Sequence, residues 1–192
     1  MTDFFTSDLH FGHENILTYS SRPWASTDEM DEALIADWNA TVKPQDRVFV
    51  VGDFSFRGGE ATDIILSRLR GQKFLIKGNH DHSTTLEHTK RWAWVRERHT
   101  HRVGEAAIVL DHFPKLSWLG MHHGYYHLHG HSHGELRLPP PLDTARILDV
   151  GVDATVKWTG SYRPVAWEEV KEVLKDKRAA SVDGHKVRDY GN

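Results

Sequence analysis

The sequence predicts an α/β or α+β sandwich with its helices on the outside. Three observations carry this expectation. Short apolar strands alternate with helical stripes through the first half, the second half is mostly strand, and the polar motifs follow directly on strands. The chain has 192 residues, enough for one domain with a sizeable core.

Each element has its own signal. Residues 3–7 (DFFTS) form a strand. Met30, Ala33, Leu34, Trp38 and Val42 make a helical stripe over 27–42, with Ser26 and Glu29 as a capping box at its start. Residues 47–51 (RVFVV) are a buried strand ending in Gly52-Asp53. Ala61, Ile64, Ile65 and Leu69 mark a second helix, with Gly71 as the left-handed residue after its end. Residues 73–77, 106–111, 126–129 and 146–150 are further strands, and Trp167, Val170, Val173 and Leu174 mark a last helix. Pro139-Pro140-Pro141 reads as a loop inside a single domain over 1–180, and the polar residues 181–192 as a flexible tail.

Composition excludes several functions. Cysteine is absent, which removes disulfides, thiolate metal sites and Cys nucleophiles. Lys+Arg 24 against Asp+Glu 27 gives a net charge of -3, so no general basic character points to nucleic acid. The first residues have neither a basic n-region nor an apolar core, and no apolar run suffices to span a bilayer. A cytoplasmic protein without a membrane partner is the expectation. Histidine, at 15 residues, stands out. It is the commonest metal ligand and the acid–base residue of neutral pH.

Some of these histidines are organised. Asp8-Leu9-His10, Gly52-Asp53, Gly78-Asn79-His80-Asp81, His112 and Gly130-His131-Ser132-His133 each come directly after a strand. Ligand sites in α/β sheets lie beyond the carboxyl ends of strands, so these residues converge on one pocket. Their O and N donors suit Mn, Fe, Ni or Zn. In an extended backbone the i, i+2 spacing of Asp-x-His and His-x-His puts both donors on one side. The glycines before Asp53, Asn79 and His131 allow a tight turn.

Taken in order, Asp-x-His, Gly-Asp, Gly-Asn-His-Asp, His and Gly-His-x-His resemble the calcineurin-like metallophosphoesterase superfamily. Ser7 to Ile16 and Met30 to Asn39 resemble a compact bacterial and phage branch of it. Gly151-Val152-Asp153 with Tyr162-Arg163-Pro164 resembles its closing strand and helix entry. The resemblance implies a four-layer αββα sandwich of two mixed sheets flanked by helices. It implies two divalent metal ions, manganese foremost, with Fe, Ni, Zn or Mg as alternatives. Asp8, His10, Asp53 and His133 would hold one, and Asp53, Asn79, His112 and His131 the other, with Asp53 bridging. His80 would be the general acid and Asp81 an orienting residue. The implied activity is hydrolysis of a phosphodiester or phosphomonoester, on a small molecule or nucleotide, by metal-activated hydroxide.

One departure stands out. Gly52 to Gly58 resembles the Gly-Asp-x-x-Asp-Arg-Gly motif of phosphoprotein phosphatases, but Phe56 replaces the Asp that orients the catalytic histidine. Arg57 is kept and is a candidate to grip a phosphate oxygen, and His13 a candidate to touch substrate. Arg22 is read as packing. The remaining histidines carry no motif: His122, His123, His127 and His129 lie in or next to an aromatic segment, and His82, His88, His99, His101 and His185 read as surface residues. Trp38, Trp92, Trp94 and Trp118 read as core, and Arg91, Arg96, Arg98 and Arg102 as a solvated face. Two other functions compete. A nuclease would show strongly salt-dependent nucleic-acid binding. A non-catalytic protein-binding scaffold, as in the retromer subunit of this superfamily, tends to have lost a ligand or the acid histidine, and here none is lost.

Overall fold

A computed structural model describes residues 1–86 and 89–188. Its strands are β1 (Asp3–Thr6), β2 (Arg47–Val50), β3 (Gln72–Ile76), β4 (Trp92–Arg96), β5 (Arg98–Val103), β6 (Ala106–Asp111), β7 (Tyr126–His129), β8 (Ile147–Asp149) and β9 (Val165–Ala166). Its helices are α1 (Glu14–Tyr19), α2 (Thr27–Thr41), α3 (Gly59–Arg68), α4 (Ser83–Leu86), α5 (Val152–Thr159) and α6 (Trp167–Val173). One sheet has the order β4-β3-β2-β1-β9, parallel except for β9. The other has the order β5-β6-β7-β8, parallel except for β5. The fold is therefore two mixed sheets flanked by helices, as expected.

Strand alternation divides the core. Phe4, Val48, Val50 and Leu75 point to one face and pack with Met30, Leu34 and Trp38 of α2 and Ile65 and Leu66 of α3. Their neighbours Phe5, Phe49, Val51, Phe74 and Ile76 point to the other, where they meet Ile108, Leu110 and Leu128 of the second sheet. A third cluster of Trp118, Met121, Leu142, Ala145, Ile147 and Ala180 covers the outer face of that second sheet. There the layer is made of two 3-10 turns, Met121–His123 and Leu142–Thr144, and the segment through Ala180.

The helix over 27–42 forms as read: Ser26 Oγ accepts from the Glu29 amide at 3.2 Å. Gly71 is corrected. α3 ends in an extended Leu69, and Gly71, at φ 82°, turns the chain into β3 instead. The paired strands β4 and β5 replace what read as a solvated basic face, because charges between Trp92, Trp94 and Val103 hide the alternation. Trp38, Trp92 and Trp118 are core as expected, and Trp94 packs partly buried against the inter-sheet core. Among the described residues no helix is long and apolar enough to cross a membrane. His88 and residues 189–192 of the expected tail lie outside the described residues; within the tail, the Arg188 amide donates to the His122 carbonyl at 2.8 Å.

Candidate metal centre

Five strands deliver the site. β1 runs out into Asp8 and His10, β2 into Asp53, β3 into Asn79 and His80, β6 into His112, and β7 into His131 and His133. Parallel pairing aims the ends of β1, β2 and β3 the same way, and those of β6 and β7 likewise. The two sheets are tied together here, since Asp8 accepts the His131 amide on Oδ1 at 3.1 Å and Oδ2 at 3.0 Å.

The local backbone is unlike the extended one expected. Asp8, His10, Asp53, His131 and His133 have φ of 56°, 53°, 53°, 69° and 48°. Left-handed backbone costs roughly 1–2 kcal/mol for each such L-residue, and strain of this kind gathers at functional sites. The i, i+2 donors thus meet through left-handed turns and not through strand alternation. Two of the glycines also act differently from expectation: a Cβ at Gly78 would collide with the Asp53 carboxylate, and one at Gly130 with Ser7 and Asp8. They allow close approach.

Donor atoms converge in two groups. Asp8, His10 and His133 form one, and Asp8, Asp53 and His112 the other; within each, the ligand atoms lie within 4.8 Å of one another. Asn79 Oδ1 adds to the second group, 3.0 Å from both His112 Nε2 and His131 Nδ1. Burial raises the energy of a charged Asp53, but the His112 hydrogen bond and charge, together with the amide of His80 at 2.9 Å, outweigh it and hold the carboxyl at about 2. Burial likewise opposes charge on His112, but Asp53 and Asp8 push the imidazole up to about 9. His112 Nδ1 donates to Val51 O at 2.8 Å, which turns Nε2 toward Asp53 Oδ2 at 3.4 Å.

Several residues brace the donors, a role the sequence reading gives to none of them. Asp153 Oδ2 accepts His133 Nδ1 at 2.7 Å, aiming Nε2 at the cluster. Burial works against a charged His133, yet this bond and the Asp8 charge raise its pKa. Asp153 is itself gripped by Arg22 through Nε at 2.9 Å and Nη2 at 2.8 Å, and the same guanidinium donates to the carbonyls of Asp8 at 2.6 Å and Leu9 at 2.8 Å. Asp149 Oδ2 accepts from Ser132 Oγ at 2.8 Å and the Gly134 amide at 2.9 Å, fixing the His131–His133 loop. The signal for Asp153 was its Gly-Val-Asp setting after a strand; Arg22, read only as packing, does pack, at 4% exposure.

Other expected residues differ. Asp81 orients no ring; its carboxylate accepts the amides of Asp53, Phe54 and Gly78 at 2.8, 3.0 and 2.8 Å, holding the loop that carries Asp53. Arg57 is not brought to the cluster, because its Nη2 meets Asp28 at 2.5 Å and its Nε meets Asp31 at 3.0 Å. His13 is brought there. Its ring stacks on Phe56 at 3.9 Å and lies 5.3 Å from that of His10. Burial, then the charges of His10 and His80, lower its pKa to about 4. Phe56, in the place of the missing Asp, meets the His80 ring at 4.7 Å. His101 is not a surface residue; it is buried and bonded to Asp3 at 2.8 Å. His127 is buried, with Nδ1 donating to Val109 O and Nε2 accepting the Lys115 amide. His129 turns away from the cluster, its Nδ1 donating to Gly130 O at 2.8 Å.

One observation tests whether a divalent cation fits. His10 is 2% exposed, yet both its ring nitrogens lack a hydrogen-bond partner among the described residues. Its Nε2 stands 3.8 Å from Asp8 Oδ1 and 3.7 Å from Asp53 Oδ2. Those gaps are too long for hydrogen bonds and suit atoms each lying about 2 Å from a common ion. The residues present fit a cation.

The family model for calcineurin-like phosphoesterases matches residues 3–187. The chain belongs to the calcineurin-like phosphoesterase family. Members of that family generally bind divalent metals. The chain is 27% identical over 173 residues to the uncharacterized protein MJ1445 of Methanocaldococcus jannaschii, covering 89% of this chain and 90% of that one. It is 30% identical over 199 residues to the Gene 66 protein of Mycobacterium phage D29, covering 90% and 95%. In fold it is similar to the protein of unknown function AQ665 from Aquifex aeolicus, with a TM-score of 0.66 and 20% identity over 90% of this chain and 98% of that one.

Proposed function

We propose that this family member is a dinuclear metal-dependent phosphoesterase acting on a small phosphorylated molecule or nucleotide. The unpartnered imidazole of His10, buried between two carboxylates, supports the reading most. Asp8, His10, Asp53 and His133 would hold one ion, and Asp53, Asn79, His112 and His131 the other. Divalent cations bound there would polarise phosphoryl oxygens and make water acidic enough to lose a proton near neutral pH.

The chain's own residues do the rest. Asp53, held ionised, lies 3.7 Å from His10 Nε2 and 3.4 Å from His112 Nε2, so it would supply negative charge to both ions, as would Asp8, which belongs to both donor groups. The His80 amide donates to Asp53 Oδ1 at 2.9 Å, which fixes the main chain of His80 beside the cluster, and its ring lies 5.7 Å from that of His10. Its ring, resting on Phe56, gives a proton to the departing ester oxygen. Phe56 supports this ring by contact where phosphoprotein phosphatases use a carboxylate. Arg57, spent on Asp28 and Asp31, is not free to meet the second charge of a monoester dianion, which favours diesters.

The test is hydrolysis of bis(p-nitrophenyl) phosphate with Mn²⁺, Ni²⁺, Mg²⁺ or Zn²⁺. His80→Ala should lower turnover roughly 10²–10⁴-fold while metal content is kept. A folded protein that turns over neither this diester nor p-nitrophenyl phosphate with any of these ions overturns the reading.

A further inference from the structure

Two phenyl rings stand exposed at the site, and they are used differently. Phe56 is 40% exposed, but its ring is already engaged by His13 at 3.9 Å and 8° and by His80 and His10 at 4.7 and 5.3 Å. Phe113 is 42% exposed and follows directly on His112. It meets the rings of His112 and His131 only at steep angles, 78° and 55°, with centroids 5.1 and 4.5 Å away. Among the described residues no ring is stacked parallel on its face. Its amide donates to Asp111 Oδ1 at 3.1 Å, and Pro114 follows, so its backbone is constrained on both sides. An apolar ring so fixed, touching two of the proposed ligands and open to solvent, has the form of a stacking platform. Planar π-systems prefer offset-stacked contact with such a face, and base–aromatic stacking tolerates any base.

We infer that Phe113 is a specificity-determining residue that stacks a planar aromatic substituent of the substrate. The substrate class is then a phosphodiester bearing a nucleobase or an aryl group, and His80, on the Phe56 side, faces the departing oxygen. This rests on the phosphoesterase reading and goes beyond it in naming what flanks the phosphorus.

The experiment compares two diesters with the same leaving group: p-nitrophenyl thymidine 5′-phosphate and ethyl p-nitrophenyl phosphate, both with Mn²⁺. The expected kcat/KM ratio is at least tenfold in favour of the nucleoside ester. It should fall toward one in Phe113→Leu and persist in Phe113→Trp. p-Nitrophenyl phenyl phosphate separates sources: preference equal to the nucleoside ester's means any flat ring serves, and a lower one means a base is preferred. Equal turnover of nucleoside and ethyl esters by the native chain overturns the inference. So does a Phe113→Leu variant that slows both alike, since that would be mere support of His131. A binding arm keeps the two readings apart, measuring dissociation constants of thymidine 5′-phosphate and ethyl phosphate on the metal-loaded chain. No turnover with a tenfold binding preference lost in Phe113→Leu sinks the hydrolase and keeps the platform; neither turnover nor preference sinks both.

Discussion

β1 carries an Asp–His cluster at each end, and the two are built to opposite purposes. At its start, Asp3 accepts His101 Nε2 at 2.8 Å and Arg47 Nε and Nη2 at 2.5 and 2.7 Å. Every partner is in hydrogen-bond contact, and the group pins β1 to β5 of the other sheet. Just past its end, Asp8 and Asp53 stand 3.8 and 3.7 Å from His10 Nε2, and neither nitrogen of that ring has a hydrogen-bond partner among the described residues. The same residue types close on themselves at one end and are held apart at the other. What separates them is the backbone: extended strand at Asp3, left-handed turns at Asp8 and His10. Residue identity alone therefore does not distinguish a closed ion-pair cluster from a candidate metal site; enforced separation does.

Substitutions can break this contrast. The largest effect is expected for Asp53→Asn: turnover lost, metal content by elemental analysis reduced, and the metal-free chain less stable near neutral pH, because a carboxyl held at about 2 against an ordinary 3.8 is one whose charge the fold stabilises. Asp3→Asn should cost stability alone. It removes one partner of a buried ion pair, at about 3 kcal/mol, the low end for such breakage because Arg47 is partly exposed. Denaturant unfolding would report the loss, and turnover per folded molecule should remain.

Asp153→Asn comes next. It leaves His133 in place but loosens its aim, for about 10–100-fold weaker metal affinity by titration. The smallest effect concerns acid. Burial raises the Asp3 carboxyl, but the bonds from His101 and Arg47 outweigh this and lower its pKa from the ordinary 3.8. A folded value below the unfolded one means a contribution fully present above 3.8 and lost as pH falls through the folded value. Acid unfolding of the native chain should steepen in that window, and Asp3→Asn should flatten it. An unchanged acid profile would show the closed cluster contributes nothing.

Much of the site was legible because its donors sit in short motifs after strands, where apolar runs stop abruptly, as at Val51-Gly52-Asp53 and Ile76-Lys77-Gly78-Asn79. The bracing was not legible. Arg22 and Asp153 meet across 131 positions, and no local pattern announces such a pair. The commitment of Arg57 to Asp28 and Asp31 depends on how α2 docks, which residue spacing within the motif does not contain. His101 looked like surface among charges because its burial comes from Phe49 and Asp3 on the opposite sheet. The sheets themselves were read well where strands are apolar and missed at β4 and β5, where arginines interleave.

The Arg22–Asp153 brace also has a consequence in time. A chain made from its amino end exposes Asp8 and His10 early, but the Asp153 that steadies Arg22 and His133 comes far later. At about 5–20 residues per second the gap is roughly seven to thirty seconds. Within it β1 to β4 of the first sheet are made, whereas β9, the antiparallel edge of that sheet, follows only after Asp153. Completion of the site is thus a late event of synthesis, after nearly all the strands have been made.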